Sequence, residues 1–170
     1  MLVQATPVKK RTYTIVLASA DVNSYQSATG TPWNATYFIN LNNIMDDEEQ
    51  ARPYYVNFTF SSEPSADISN QLQKGELLLE LSFGGRPYPH ITQWSQLFLP
   101  CGFVKFNPPP IPAISPDAYL SAVASDNHPV YIHSLKNCAS IGLRLVDVTG
   151  DIFTSTVPFV CIISLEPASF

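Results

Sequence analysis

Three histidines and three cysteines are the residues best suited by type to hold a metal or to act as nucleophile and base, and their spacing argues against both roles. His90, His128 and His133 contain no H-x-H pair of the kind one strand presents to a metal in a cupin-type barrel. His128 and His133 are five positions apart, which in an extended chain puts them on opposite faces about 16 Å from each other. Cys101, Cys138 and Cys161 are odd in number and have no C-x-x-C spacing, so they fit neither a zinc site nor a disulfide framework. Cys161 alternates with apolar neighbours and reads as a small core residue. No G-x-S-x-G elbow marks a serine nucleophile, no local signature pairs Cys101 with His90 or Cys138 with His133, and Gly84-Gly85 lacks the spacing of a phosphate cradle. Four of the fourteen acids form one run, Asp46-Asp47-Glu48-Glu49, which reads as a solvated loop. A carboxylate pair brought together only in space stays open. The expectation is a protein that is not an enzyme and carries no metal or cofactor.

Aromatic residues are plentiful where charge is not. Of 170 residues 14% are charged, against roughly 25% for a typical soluble chain. A surface so poor in charge usually has another protein against it. Trp33, Tyr88 and Trp94 fall at strand edges and turn-rich corners, where large rigid rings act as interface anchors or sugar platforms; Tyr37 and Tyr131 read as core. Nine Lys and Arg leave little with which to neutralise phosphates, so no specific nucleic-acid partner is expected. The basic trio Lys9, Lys10 and Arg11 closes an arm over residues 1–11 that has no periodicity and is read as ordering against a neighbour. The start MLVQATPVKKR has no long apolar stretch, and no run of 18 apolar residues offers a membrane span. Assembly in a reducing compartment follows as the expectation, with the sequons at Asn34 and Asn57 as chance matches.

The elements that would position these residues are strands. Tyr13 to Ala18 and Ala35 to Leu41 are β-favouring runs separated by a Ser, Asn, Thr and Gly loop over 21–34. Tyr55 to Ser61 alternates cleanly, with Val56, Phe58 and Phe60 on one face and Asn57, Thr59 and Ser61 on the other. In Leu77 to Phe83, alternation and the following Gly84-Gly85 favour strand over the helix that Leu and Glu would allow. Trp94 to Leu99 reads as a fifth strand, broken by Pro100-Cys101-Gly102. Pro108, Pro109, Pro110 and Pro112 supply no backbone donors and read as a polyproline II crossover on the surface. Single helical turns are expected within 66–72 and 116–125. Val130 to Leu135, Ser140 to Val146 and Pro158 to Leu165 complete eight strands, the last two joined through the hairpin signal Asp147 to Asp151. Eight strands with long polar loops and little helix predict an all-β, antiparallel jelly-roll sandwich, one domain over 12–170 behind the arm 1–11. In such a fold the first two runs belong to opposite sheets.

The segments TYTIVLASAD, NATYFINL, YYVNFTFSS, GELLLELSFGG and SIGLRLVDVTGDIF, with the loops between them, resemble the single jelly-roll minor capsid proteins of large icosahedral double-stranded DNA viruses and their virophages. The resemblance runs from about residue 12 to 165 and rests on rhythm, length and loop composition; the proline segment departs from it. It implies a structural virion component that fills or cements gaps between major capsomers or forms pentons. It also implies that the partners are the major capsid protein and other minor capsid proteins, and that the protein is oligomeric within a shell assembled in the host cytoplasm or nucleus. The alternative is a carbohydrate-binding or receptor-binding β-sandwich module.

Overall fold

The computed structural model describes residues 11–21, 23–27, 29–85, 98–107, 117–124 and 130–168. Eleven strands occur among them: β1 (Tyr13–Ala18), β2 (Tyr25–Gln26), β3 (Asn34–Phe38), β4 (Tyr54–Ser62), β5 (Leu77–Gly85), β6 (Leu99–Asn107), β7 (Tyr119–Ala122), β8 (Val130–Ile132), β9 (Cys138–Val146), β10 (Ile152–Phe153) and β11 (Phe159–Pro167). The antiparallel all-β class is as expected, and the count of eight is not. The extra elements are short ones, two of them only two residues long. A further difference falls at 116–125, where a helical turn was expected and β7 is found.

Periodicity explains the long strands. In β4 alternate residues are buried from Tyr54 to Ser62, and in β11 from Phe159 to Leu165, so each lays a row of mainly apolar side chains on one face. The two strands pair over their full nine residues, Phe159 opposite Ser62 and Pro167 opposite Tyr54. β5 and β9 carry the other half of the core, with Leu79 facing Leu145, Leu81 facing Leu143 and Phe83 facing Ile141, while Leu77 faces Val104 of β6.

All the strands join one antiparallel sheet with the path β1-β11-β4-β7-β6-β5-β9-β3-β2; β8 pairs with β4 and β10 with β9. The sheet curls into a half-barrel, and β6 makes the corner. Residues Leu99 to Val104 of β6 pair with β5, whereas Lys105 to Asn107 pair with β7. The expected break at Pro100-Cys101-Gly102 is instead a β-bulge within the strand. Leu79 faces Gly102 and Glu80 faces Pro100, so Cys101 is the extra residue and the missing proline donor is tolerated. β1 and β3, which flank the 21–34 loop, do not pair: β1 lies beside β11 and β3 beside β9.

The acidic run, read as a loop, is a structured helix start. Asp46 caps the short helix α1 (Asp47–Gln50): its Oδ1 accepts from the Glu49 amide at 2.7 Å while Glu49 Oε2 accepts from the Asp46 amide at 2.9 Å. This is the reciprocal capping box, and the D-x-x-E spacing that encodes it was present in the sequence. A second turn, α2 (Ala66–Ser69), is capped by Ser65 and buries Ile68 in the core. The hairpin between β9 and β10 turns at Gly150, whose φ of 90° is open to glycine at little cost.

Leu79 is fully buried while Val16 is 58% exposed on the outer face of β1. Leu79→Ala is expected to cost about 2–5 kcal/mol and Val16→Ala well under 1 kcal/mol in urea denaturation. Equal costs would contradict the assignment of inner and outer faces.

Candidate functional site

Trp33 was one of three aromatics expected on the surface, and the structure puts it at the centre of the core instead. It is fully buried, with its ring 4.8 Å from Phe159, 5.4 Å from Phe153 and 5.7 Å from Phe60. Its indole Nε1 donates to the Val157 carbonyl at 3.0 Å, which satisfies the one polar atom such a burial would otherwise strand. The physical reason is position: Trp33 immediately precedes β3, where the 21–34 loop re-enters the sheet, so its side chain turns between β4, β10 and β11. Trp33 is therefore unavailable as a docking anchor or sugar platform. Tyr37 is core, as read, and its hydroxyl donates to the Pro32 carbonyl at 2.9 Å. Tyr131 is only half-buried and stacks edge-on against Tyr55 of β4 and against His133.

Of the remaining candidates, Arg11 is described; Lys9, Lys10, Tyr88, Trp94, Pro108, Pro109 and Pro110 lie outside the described residues, as do His90 and His128. Arg11 is exposed and its guanidinium stands 5.6 Å from the Tyr13 ring centre. Together Arg11, Thr12, Tyr13, Thr14, Asn43 and Ile44 line a shallow open depression of about 340 Å³ at the start of β1. Polar chemistry gathers beside it. Burial first, and then the nearby Glu49 carboxylate, push the pKa of the Tyr13 hydroxyl up to about 12. That same hydroxyl holds the Glu49 carboxyl below its ordinary range, helped by the Asp46 amide.

No group of three or more His, Cys, Asp or Glu side chains capable of holding a metal occurs among the described residues. The three thiols are free and none is activated: burial raises Cys101 to about 12 and Cys138 to about 11, and drives Cys161 higher still. A thiolate nucleophile needs the opposite shift. Among the described residues one ion pair crosses between strands, Glu80 with Arg144 at 2.5 Å, which joins β5 to β9 with the Phe98 ring 4.0 Å from the guanidinium. No helix among the described residues is long and apolar enough to cross a membrane. No protein-family model matches this chain, and no curated protein or solved structure is significantly similar to it.

The more distinctive surface was legible only after the strands were paired. On the outer face of β1, β11 and β4 the side chains of Thr14, Val16, Ala18, Val160, Ile162, Ser164, Asn57, Thr59 and Ser61 form one uncharged field, with Glu166 at its margin. Val16 faces Ile162 directly, and both are exposed. Alternation in each run pointed outward, but adjacency of the three runs is a property of the pairing alone.

The thiol environment has a measurable consequence. Burial favours the neutral forms of Cys101, Cys138 and Tyr13, so their stabilisation is complete below about pH 9 and is lost as pH rises toward 12. The urea midpoint is expected to be flat from pH 7 to 9 and to fall above it, and Cys101 and Cys161 are expected to react with a disulfide reagent at pH 8 only at the rate of unfolding. Rapid labelling of both in the folded protein would overturn this reading. Trp33→Ala should cost about 3–5 kcal/mol by denaturant titration, a core value and not a surface one.

Proposed function

We propose that the protein is a structural component of a virion, a single jelly-roll minor capsid protein that fills or cements contacts between major capsomers or forms pentons. The observation that carries this reading is the order of the strands. Setting aside the two-residue β2 and β10, and taking β7 and β8 as two pieces of one strand along β4, eight strands remain. We read the curled sheet as two four-stranded halves, β1-β11-β4-β7 and β3-β9-β5-β6, joined through β6. The first strand lies beside the last, and in chain order the strands alternate between the halves except for the successive pair β5 and β6, a pattern compatible with two nested Greek keys. That arrangement is shared by lectins and cupins as well as capsid proteins, so the site must choose among them.

Two features favour the structural role. Burial of Trp33 removes one of the three rings on which a sugar-binding reading depended. In place of a deep concave pocket, the described surface offers an uncharged sheet face and a shallow depression, which suit broad contact with protein neighbours under symmetry. Such a protein would meet the major capsid protein and other minor capsid proteins, through the arm at 1–11, the loops at 21–34 and 84–94, and the segment at 107–118.

The deciding experiment is a density map and a protein inventory of the purified, protease-washed parent particle. The chain is expected in the shell in symmetric, stoichiometric copies; its absence from washed particles would sink the proposal. Deletion of residues 1–11 should reduce incorporation several-fold while leaving the thermal midpoint within a few degrees of the intact chain. Normal incorporation of the shortened chain would refute the role given to the arm.

A further inference from the structure

A cluster of aromatic rings stands on the outer face of the sheet, where it adds nothing to the core. Tyr55 of β4 lies opposite Tyr131 of β8 on one side and opposite Glu166 of β11 on the other, so three side chains form one row across three strands. Tyr55 is 42% exposed, Glu166 is exposed and Tyr131 is half-buried. His133, also exposed, follows two positions beyond Tyr131. The rings meet in sequence: Tyr55 and Tyr131 are 5.6 Å apart at 60°, and Tyr131 and His133 are 4.9 Å apart at 85°. Asn57 and Ser164 face each other in the next row of the same face, which brings an amide and a hydroxyl about 7 Å along the strands from Tyr55 and Glu166. The inner side of these strands is filled without the cluster, by Tyr54, Val56 and Ile132.

We propose that this row binds a neutral saccharide, one pyranose ring stacking on the aromatic corner while its hydroxyls bond to Glu166, Asn57 and the tyrosine phenols. A pyranose has an apolar C–H face bordered by hydroxyls, so it needs aromatic area beside groups that donate and accept. The row supplies both: ring area at Tyr55, a carboxylate that accepts, and an amide and phenols that can do either. The way the rings meet argues against other ligands of aromatic sites. Edge-to-face contact at 5.6 and 4.9 Å closes the space between neighbouring rings. A proline-rich peptide, which docks in an aromatic-lined groove, finds no slot between them. A quaternary ammonium, which needs ring faces turned toward a common centre, finds no cage. Charge narrows the class further. Among the described residues no Lys or Arg stands in this row or in the adjoining row of Asn57, Ser164 and Thr14, so nothing pairs with a sulfate or a sugar carboxylate, and Glu166 repels both. The site uses none of Trp33, Tyr88 and Trp94 and does not depend on the capsid reading.

The test is saturation-transfer NMR on the full chain with the methyl glycosides of glucose, galactose, mannose and N-acetylglucosamine. A methyl sialoside, tetramethylammonium and an oligoproline peptide stand for the competing classes. Transfer to the ring C–H protons of at least one neutral glycoside is expected, with a Kd on the order of 1 mM, the range of a shallow site that holds one sugar ring. Tyr55→Ala should weaken binding by about tenfold or more, whereas Tyr55→Phe keeps the stacking surface and should retain most of it. Glu166→Ala should weaken binding several-fold. Both alanine variants replace exposed side chains and should keep the thermal midpoint within a few degrees, which separates loss of the site from loss of the fold. Three results would each overturn the proposal: no transfer to any neutral glycoside, transfer unchanged by Tyr55→Ala, or tighter binding of the sialoside, the ammonium ion or the peptide than of every neutral glycoside.

Discussion

The fold depends on one ring. Trp33 enters from the loop ahead of β3 and meets Phe60 of β4, Phe153 of β10 and Phe159 of β11 within 5.7 Å, so it touches both halves of the curled sheet at once. Phe60 and Phe159 stack on each other at 5.1 Å, and the indole N–H is anchored to Val157. Without such a bridge the sheet is held closed at one side only, by β6 crossing from β5 to β7. Aromatic contacts of this type contribute roughly 0.5–1.5 kcal/mol each beyond the area they bury, and three of them converge on one side chain. The β6 corner and the Trp33 cluster together turn a row of strands into a core.

That closure determines where chemistry is possible. The inner faces are filled by Leu, Ile, Phe and buried cysteine, leaving no cleft into which catalytic groups converge among the described residues. The cysteines that might have served as nucleophiles are packing atoms whose thiols burial keeps protonated. The outside of the described strands carries an uncharged face on β1, β11 and β4, a six-residue edge at β1, and a polar corner where Arg11, Tyr13 and the capped start of α1 meet.

Edge and face reinforce each other. Low charge on the outer field means that a neighbour can approach without stripping water from ions, which is the costly part of burying a surface. The exposed backbone of an edge strand supplies direction and register that apolar contact by itself lacks. A domain with both can hold a neighbouring surface through many small contacts, consistent with the sparse charge of the whole chain.

Much of the architecture was legible because strand periodicity is local: Tyr55 to Ser61, Leu77 to Phe83 and Ser140 to Val146 each announce their buried face within seven residues. The capping box was equally local, four residues from Asp46 to Glu49, although an acidic run invites the loop reading first. Helical turn against strand at 116–125 was not decided locally, because β7 exists through its partners on β4 and β6. Trp33 shows the limit most clearly. Its neighbours in sequence, Thr31, Pro32 and Asn34, are those of a surface loop, and only Phe60, Phe153 and Phe159, distant along the chain, make it the centre of the core. The sequence by itself determined which residues could turn inward and which outward on each strand. Only the tertiary structure decided which strands became neighbours and which aromatic was buried, because those depend on contacts between residues far apart in the chain, such as Tyr13 with Leu165.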